Sequence, residues 1–304
     1  MGIATRDAYG QALLQLGRED EGIVVLDADL SGSTKTADFA REFPRRFFNL
    51  GIAEADLIGT AAGLAVAGKI PFVSTFAVFA AGRAYDQIRA SVAYPRLNVK
   101  IAATHAGLTV GEDGATHQMN EDIALMRVLP NLTVVVPADG AEAAAATRAA
   151  ALHRGPVYLR LGRPAVPALP GGTEPFDLYR APVLREGGDV AIFACGYMVH
   201  LALEAARELE KSGIEAAVIN VHTIKPLDVE TILTYARRCG RVVTAEEHSI
   251  IGGLGSAVAE VLGEGAPVPL VRIGVRDVFG ESGKPAALLE KYGLTAEAIV
   301  RACV

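Results

Sequence analysis

Short runs of apolar and β-branched residues with no polar alternation recur along the chain. Examples are "LTVVVP" at Leu132–Pro137 and "DVAIFAC" at Asp189–Cys195. A strand with one wet face alternates in polarity, whereas one covered on both faces does not, so these runs predict parallel sheets sandwiched between helices. The expected strands of the first half are Ile23–Leu26, Phe47–Leu50, Pro71–Thr75, Val99–Ala103, Leu132–Val136 and Val157–Leu161. Between them, small-residue or amphipathic helices are expected from Arg6, Glu54, Phe79, Met119 and Glu142.

The pattern dissolves in "RPAVPALPGGTEPFDLYRAP", Arg163 to Pro182, where prolines remove backbone donors and block regular structure. The alternation then resumes through "DVAIFAC", "AAVINVHTI", "RVVTAEE" and "PLVRIGV", with helices between. The expectation is an α/β chain of two doubly wound domains, 1–164 and 183–304, joined by a linker over 165–182. At 304 residues each domain can bury its own core.

A net charge of −6 without a long Lys/Arg run argues against nucleic-acid partners, whose affinity rests on neutralising phosphates. Cys195, Cys239 and Cys303 are odd in number and widely spaced, and they read as unpaired residues of a reducing compartment. The start lacks a basic region followed by an apolar run, and no segment reaches the about 18 apolar residues of a membrane helix. A soluble cytoplasmic protein is expected.

Two motif imitations fail on inspection. In "IIGGLGSAV" the third glycine of a dinucleotide fingerprint would fall on Val258, and in "VFGESGKPA" the hydroxyl residue of a phosphate loop is Pro285. The turn "DLSGSTK", Asp29 to Lys35, also falls short of that loop, although its amides and hydroxyls suit an anion.

In open parallel sheets, ligands collect outside the carboxyl ends of the strands. Three such ends carry suggestive groups. Glu54 follows "FFNL" at the start of a helix, a position that a glutamate also takes simply to complement the helix dipole. Phe76 and Phe79 follow "FVSTF", either as core or as a platform for a flat ligand. The loop "HAGLTVGEDGATHQ", His105 to Gln118, brings two histidines, two carboxylates and three glycines together after "VKIAAT". Together they would make a pocket with a carboxylate, an aromatic face and near-neutral imidazoles.

The stretches "FFNLGIAEADLIGTAAGLAVAG", "PFVSTFAVFAAGRAYDQIRASVAY", "THAGLTVGEDGATHQMNEDIALMRVLPNLTVVVPAD" and "PVYLRLGRP" resemble, in order and spacing, the pyrimidine-binding domain of transketolases. The resemblance continues in "INVHTIKPLD", "AEEH" and "RIGVRDVFGESG" of the C-terminal domain, and so covers essentially the whole chain. It implies a thiamine diphosphate-binding fold of the pyrimidine type followed by a transketolase C-terminal domain. The family's G-D-G…N motif, which holds the cofactor's diphosphate through Mg2+, has no counterpart here. The resemblance therefore implies the C-terminal subunit of a split transketolase, active with an N-terminal partner in an α2β2 assembly.

By that resemblance Glu54 matches the glutamate that hydrogen-bonds the cofactor's aminopyrimidine, and Phe76 and Phe79 match aromatics lining it. The family's next aromatic is Gly82 here, which leaves one wall open. Asp29 matches a polar residue near the thiazolium. His105 matches the histidine at the substrate hydroxyls or on the phosphate side, His117 the histidine that handles protons at the donor's C1 region and the acceptor carbonyl, and Asp113 the contact to the donor's C2 hydroxyl. Arg6, Ser33 and Arg163 match positions that hold the substrate phosphate. Gly107, Gly111 and Gly114 are expected to let the backbone turn around a ligand. No role falls to Glu112, His222 or His248. The competing readings are the β subunit of a thiamine-dependent 2-oxoacid dehydrogenase or synthase-like relative, and a non-catalytic interaction subunit.

Overall fold

The computed structural model describes residues 2–170 and 176–304; residues 171–175 of the expected linker lie outside the described residues. The first sheet has seven strands in the order Thr223–Lys225, Thr133–Val135, Val157–Arg160, Lys100–Thr104, Ile70–Phe76, Ile23–Asp27 and Phe47–Asn49. All its pairings are parallel except that of Thr223–Lys225. Val25, Phe72 and Ala102 point into a core beneath the helix Thr5–Glu19, while Val24, Leu26, Val73 and Ile101 join the opposite core with the helix Glu54–Val66. Both faces of the central strands are thus dry, which is why they show no polar alternation, whereas the edge strand Phe47–Asn49 is exposed at Phe48 and Asn49.

The second sheet runs Leu270–Val275, Val242–Ser249, Val190–Ala194, Ala216–Asn220 and Val183–Arg185, parallel except for the last. The helices Met198–Glu210, Val229–Cys239, Leu254–Gly265 and Ala296–Cys303 belong to this layer.

Three local features differ from the expectation. "AAVINVHTI" is two strands. After Asn220 the chain leaves the second sheet, and Thr223–Lys225 closes the edge of the first, with the Val136 amide donating to the His222 carbonyl at 2.6 Å. Lys225 Nζ secures the crossing by donating to the carbonyl of Arg127 at 2.9 Å. Within the expected linker, Ala165–Val166 pairs with Ile3–Ala4, because Pro164 and Pro167 flank that bridge and do not enter it. The helix expected from Phe79 is a wide π-turn over Val78–Arg83, which places Phe79 and Arg83 on one side.

The domains meet over a buried charge. Arg160 Nε donates to both oxygens of Asp122 at 3.0 and 2.9 Å, and its Nη2 donates to the carbonyls of Met119 and Glu247 at 3.2 and 2.9 Å. Tyr158 adds its hydroxyl to Asp122 at 2.9 Å. Asp122→Ala leaves this guanidinium buried without its counter-ion and is expected to destabilise the chain by about 3–5 kcal/mol in urea unfolding. The double variant Asp122→Leu/Arg160→Met removes both charges and should recover most of that loss.

Candidate active site

The loops leaving the strands Ile23–Asp27, Ile70–Phe76 and Lys100–Thr104 open on the same side of the first sheet. There a cleft of about 420 Å3 is lined by Arg6, Gly32, Ser33, Phe76, His105, Asp113, His117 and Arg163. Seven of the ten candidates named from sequence therefore converge on one space, although they span positions 6 to 163.

His105 is the most constrained of them. It adopts a left-handed backbone at φ 56°, rare outside glycine and tolerated by short polar residues and histidine. Its ring stacks on Phe76 with centroids 3.8 Å apart. Arg6 Nη1 lies 2.8 Å from Nε2, and Thr104 Oγ1 lies 2.9 Å from Nδ1. A guanidinium can only donate, so Nε2 accepts and the ring proton sits on Nδ1, donated to Thr104. Burial, then the positive charges of Arg6, Arg163 and Lys35, push its pKa down to about 3. His105 is a neutral imidazole at physiological pH.

His117 is less enclosed. It sets its ring edge-on to Phe79, with centroids 5.5 Å apart, and its Nδ1 lies 3.0 Å from Thr116 Oγ1. Arg163 Nη1 donates to Asp113 Oδ2 at 3.3 Å and to the Val110 carbonyl. Arg6 also donates to the Ser33 carbonyl at 3.3 Å, so Ser33 meets it through backbone. The cleft is thus cationic in a chain that is acidic overall.

Glu54 and Phe79 stand beside this cleft. Phe79 stacks on Phe76 with centroids 5.8 Å apart and planes 8° from parallel. Glu54, at the first position of its helix, is only 3% exposed. Its carboxylate is met by Arg83 Nη1 at 3.2 and 3.3 Å, and the same guanidinium lies 4.1 Å from the centroid of Phe79. Sequence reasoning missed Arg83; the available signal was an arginine four residues after an aromatic within one helical segment. Asp29 does not line the cleft. It is held by Asn49 at the end of the neighbouring edge strand, with Asn49 Nδ2 donating to Asp29 Oδ1 at 3.2 Å.

The loop glycines require a correction. Gly107 and Gly114 have positive φ, but a Cβ on Gly107 would strike the Glu247 side chain and one on Gly114 would strike Ser282. Gly111 abuts Pro285. All three, Gly111 at φ 87° included, have the positive φ that lets the loop turn, while the space a Cβ would fill lies against the second domain and not the cleft.

Comparison with known proteins now decides the family. The model of the transketolase pyrimidine binding domain matches residues 1–168, and that of the transketolase C-terminal domain matches residues 180–299. The chain belongs to the transketolase family. A solved split-gene transketolase, an inactive beta4 tetramer, is 59% identical with a TM-score of 0.92, over 100% of this chain and 97% of that one. A 6-deoxy-6-sulfo-D-fructose transketolase subunit of Clostridium sp. (strain MSTE9) is 50% identical over 98% of this chain and 92% of its own. A 1-deoxy-D-xylulose-5-phosphate synthase of Desulforudis audaxviator is 42% identical, the match covering 98% of this chain and 48% of the synthase.

Transketolases depend on thiamine diphosphate, and the residues here fit one end of it. A buried carboxylate beside an aromatic face suits a flat ring that offers N–H donors, and Arg83, itself flat and a donor, already sits there. The other end finds less. Among the described residues no group of three or more His, Cys, Asp or Glu is arranged to hold a metal ion. Nor is any described helix long and apolar enough to cross a membrane.

The imidazole of His105 is expected to show flat NMR chemical shifts from pH 8 to pH 5, because its proton affinity lies well below that window. Arg6→Met removes a cation and the donor to Nε2. Since a cation disfavours protonation, His105 in that variant should titrate at a higher pH. A wild-type ring titrating near 6.5 would contradict the Arg6 contact.

Proposed function

We propose that this chain is the pyrimidine-binding subunit of a two-chain transketolase, which transfers a two-carbon ketol unit from a ketose phosphate to an aldose phosphate. The observation that carries the reading is the cleft itself: two imidazoles, a carboxylate and two arginines line it, and a buried glutamate with an aromatic wall stands alongside. Bound thiamine diphosphate supplies the carbon nucleophile that carries the ketol unit between sugars. Glu54 holds a proton between its carboxylate and the pyrimidine nitrogen, a charge-assisted bond strengthened by burial. Phe79 and Phe76 provide the stacking wall.

The sugar side divides by charge. Arg6 and Arg163 bind the terminal phosphate, or a sulfonate as the name of the sulfo-fructose relative suggests, since a planar guanidinium pairs with two oxygens of either anion. Asp113 orients the donor's hydroxyl. His117 moves protons at the sugar oxygens. His105, kept neutral, positions a hydroxyl and does not carry charge. Asp29 is proposed to lie toward the thiazolium.

The diphosphate and Mg2+ are assigned to an N-terminal partner in an α2β2 assembly, and the surface of the helix Glu54–Val66 supports this. Its outward face carries Ala55, Gly59 and Gly63, with Ile52 before it 75% exposed and Val66 at its end 74% exposed. A Cβ on Gly59 or Gly63 meets nothing within 4 Å, so nothing in this chain requires the glycines. Each costs the helix about 1 kcal/mol relative to alanine, a cost that close approach by another chain would explain. The domain division at 164 and 183 and a cytoplasmic setting belong to the same proposal.

The purified chain alone should not turn over xylulose 5-phosphate with ribose 5-phosphate, whereas the reconstituted pair should. Glu54→Gln in the pair is expected to lower the rate at least about 100-fold. Unchanged turnover would favour a scaffold role, and activity confined to pyruvate as donor would favour a synthase or dehydrogenase. Gly63→Leu should keep or slightly raise the melting temperature of the chain yet prevent assembly in size-exclusion chromatography with light scattering.

A further inference from the structure

Arg83 stands apart from the other arginines near the site. Arg6 and Arg163 line the cleft and face its open volume, whereas Arg83 covers the two surfaces that a flat ring would need, the face of Phe79 and the carboxylate of Glu54. A guanidinium is planar, stacks on aromatic faces and donates N–H to carboxylates, so it satisfies the same recognition elements as an aminopyrimidine. From this juxtaposition we infer that Arg83 is a resident stand-in for the cofactor ring: it fills the slot in the free subunit and swings out when the ring enters. The inference rests on the reading of Glu54 as the pyrimidine anchor.

Three observations support displacement over a permanent bridge. The contact is loose, since one nitrogen is shared between the two oxygens at 3.2 and 3.3 Å instead of two nitrogens meeting them in parallel. The side chain is 52% exposed although its partner is 3% exposed, so the guanidinium reaches in from solvent and can return there. Neighbouring Gly82 faces open space, which leaves room beside the slot. Chemistry points the same way. A cation fixed on Glu54 would occupy the carboxylate oxygens that a ring donor needs. While the slot is empty, however, the same cation spares a buried carboxylate from standing uncompensated. Arg83 thereby sets the affinity of the slot, because a ligand competing with a resident group binds more weakly by the fraction of time the slot is free.

The test is a ligand-observed NMR titration of the full-length chain with 4-amino-2-methylpyrimidine. Arg83→Ala should bind this probe about five-fold more tightly than the wild type, as expected if the slot is free only about a fifth of the time. Arg83→Gln, which keeps N–H donors but loses the charge and the full stacking plane, should fall between them. Thermal melts of both variants check that the fold persists. Equal or weaker binding by Arg83→Ala overturns the proposal, as does a titration that is flat in both proteins. Glu54→Gln added to Arg83→Ala tests the underlying reading separately. If the double variant binds as well as Arg83→Ala, the glutamate is not the anchor; if it loses binding while Arg83→Ala equals wild type, only the stand-in role fails.

Discussion

The guanidinium of Arg160 ends a strand of the first sheet and is shared among Asp122, the Met119 carbonyl and the Glu247 carbonyl. One charge thus ties together the sheet, the segment that follows the cleft loop, and the second domain. Burial makes this tie stringent, because partners that drifted apart would strand the charge without water. Further contacts radiate from it. The Glu247 carboxylate accepts from the Thr109 amide at 2.7 Å, and Gln118 Nε2 donates to the Glu281 carbonyl at 2.9 Å. The loop that carries His105, Asp113 and His117 is therefore suspended between points fixed in both domains. Its geometry is a property of the whole chain, which accounts for a catalytic-type loop whose glycines face away from the cleft.

Two histidines twelve residues apart end up with different capacities. His105 has both ring nitrogens engaged and lies among cations, so its charge state is fixed across ordinary pH. His117 sits nearer solvent, its ring edge-on to two phenylalanines. The same loop thus carries one imidazole locked by its neighbours and one left accessible.

Much of the fold was legible because strand burial writes itself into composition: a strand dry on both faces has no polar alternation to lose, and those runs located the sheets. The path of Thr223–Lys225 was not legible, since residues that suit the edge of one sheet suit the edge of the other, and only tertiary packing chooses between them. Six of the seven candidates in the cleft sit at or after strand ends, which in a parallel sheet are adjacent in space whatever their distance in sequence, and Arg6 reaches them from the first turn of the helix Thr5–Glu19. Asp29 lies outside the cleft lining, held by Asn49 at the neighbouring edge, a contact that spacing along the chain does not reveal. Arg83 escaped notice because a lone arginine in a helix ordinarily reads as solvated surface, and its four-residue spacing from Phe79 does not by itself tell a ring contact from a solvated one.

The strand Thr223–Lys225 also bears on how the protein is made. A ribosome releases the first 160 residues, with six of the seven strands, well before it supplies the seventh. During that interval Thr133–Val135 presents a bare row of amides and carbonyls to the surroundings, the kind of margin that invites promiscuous pairing between nascent chains. Synthesis past residue 225 seals it. Emergence of the later half is thus a step in protecting the earlier one.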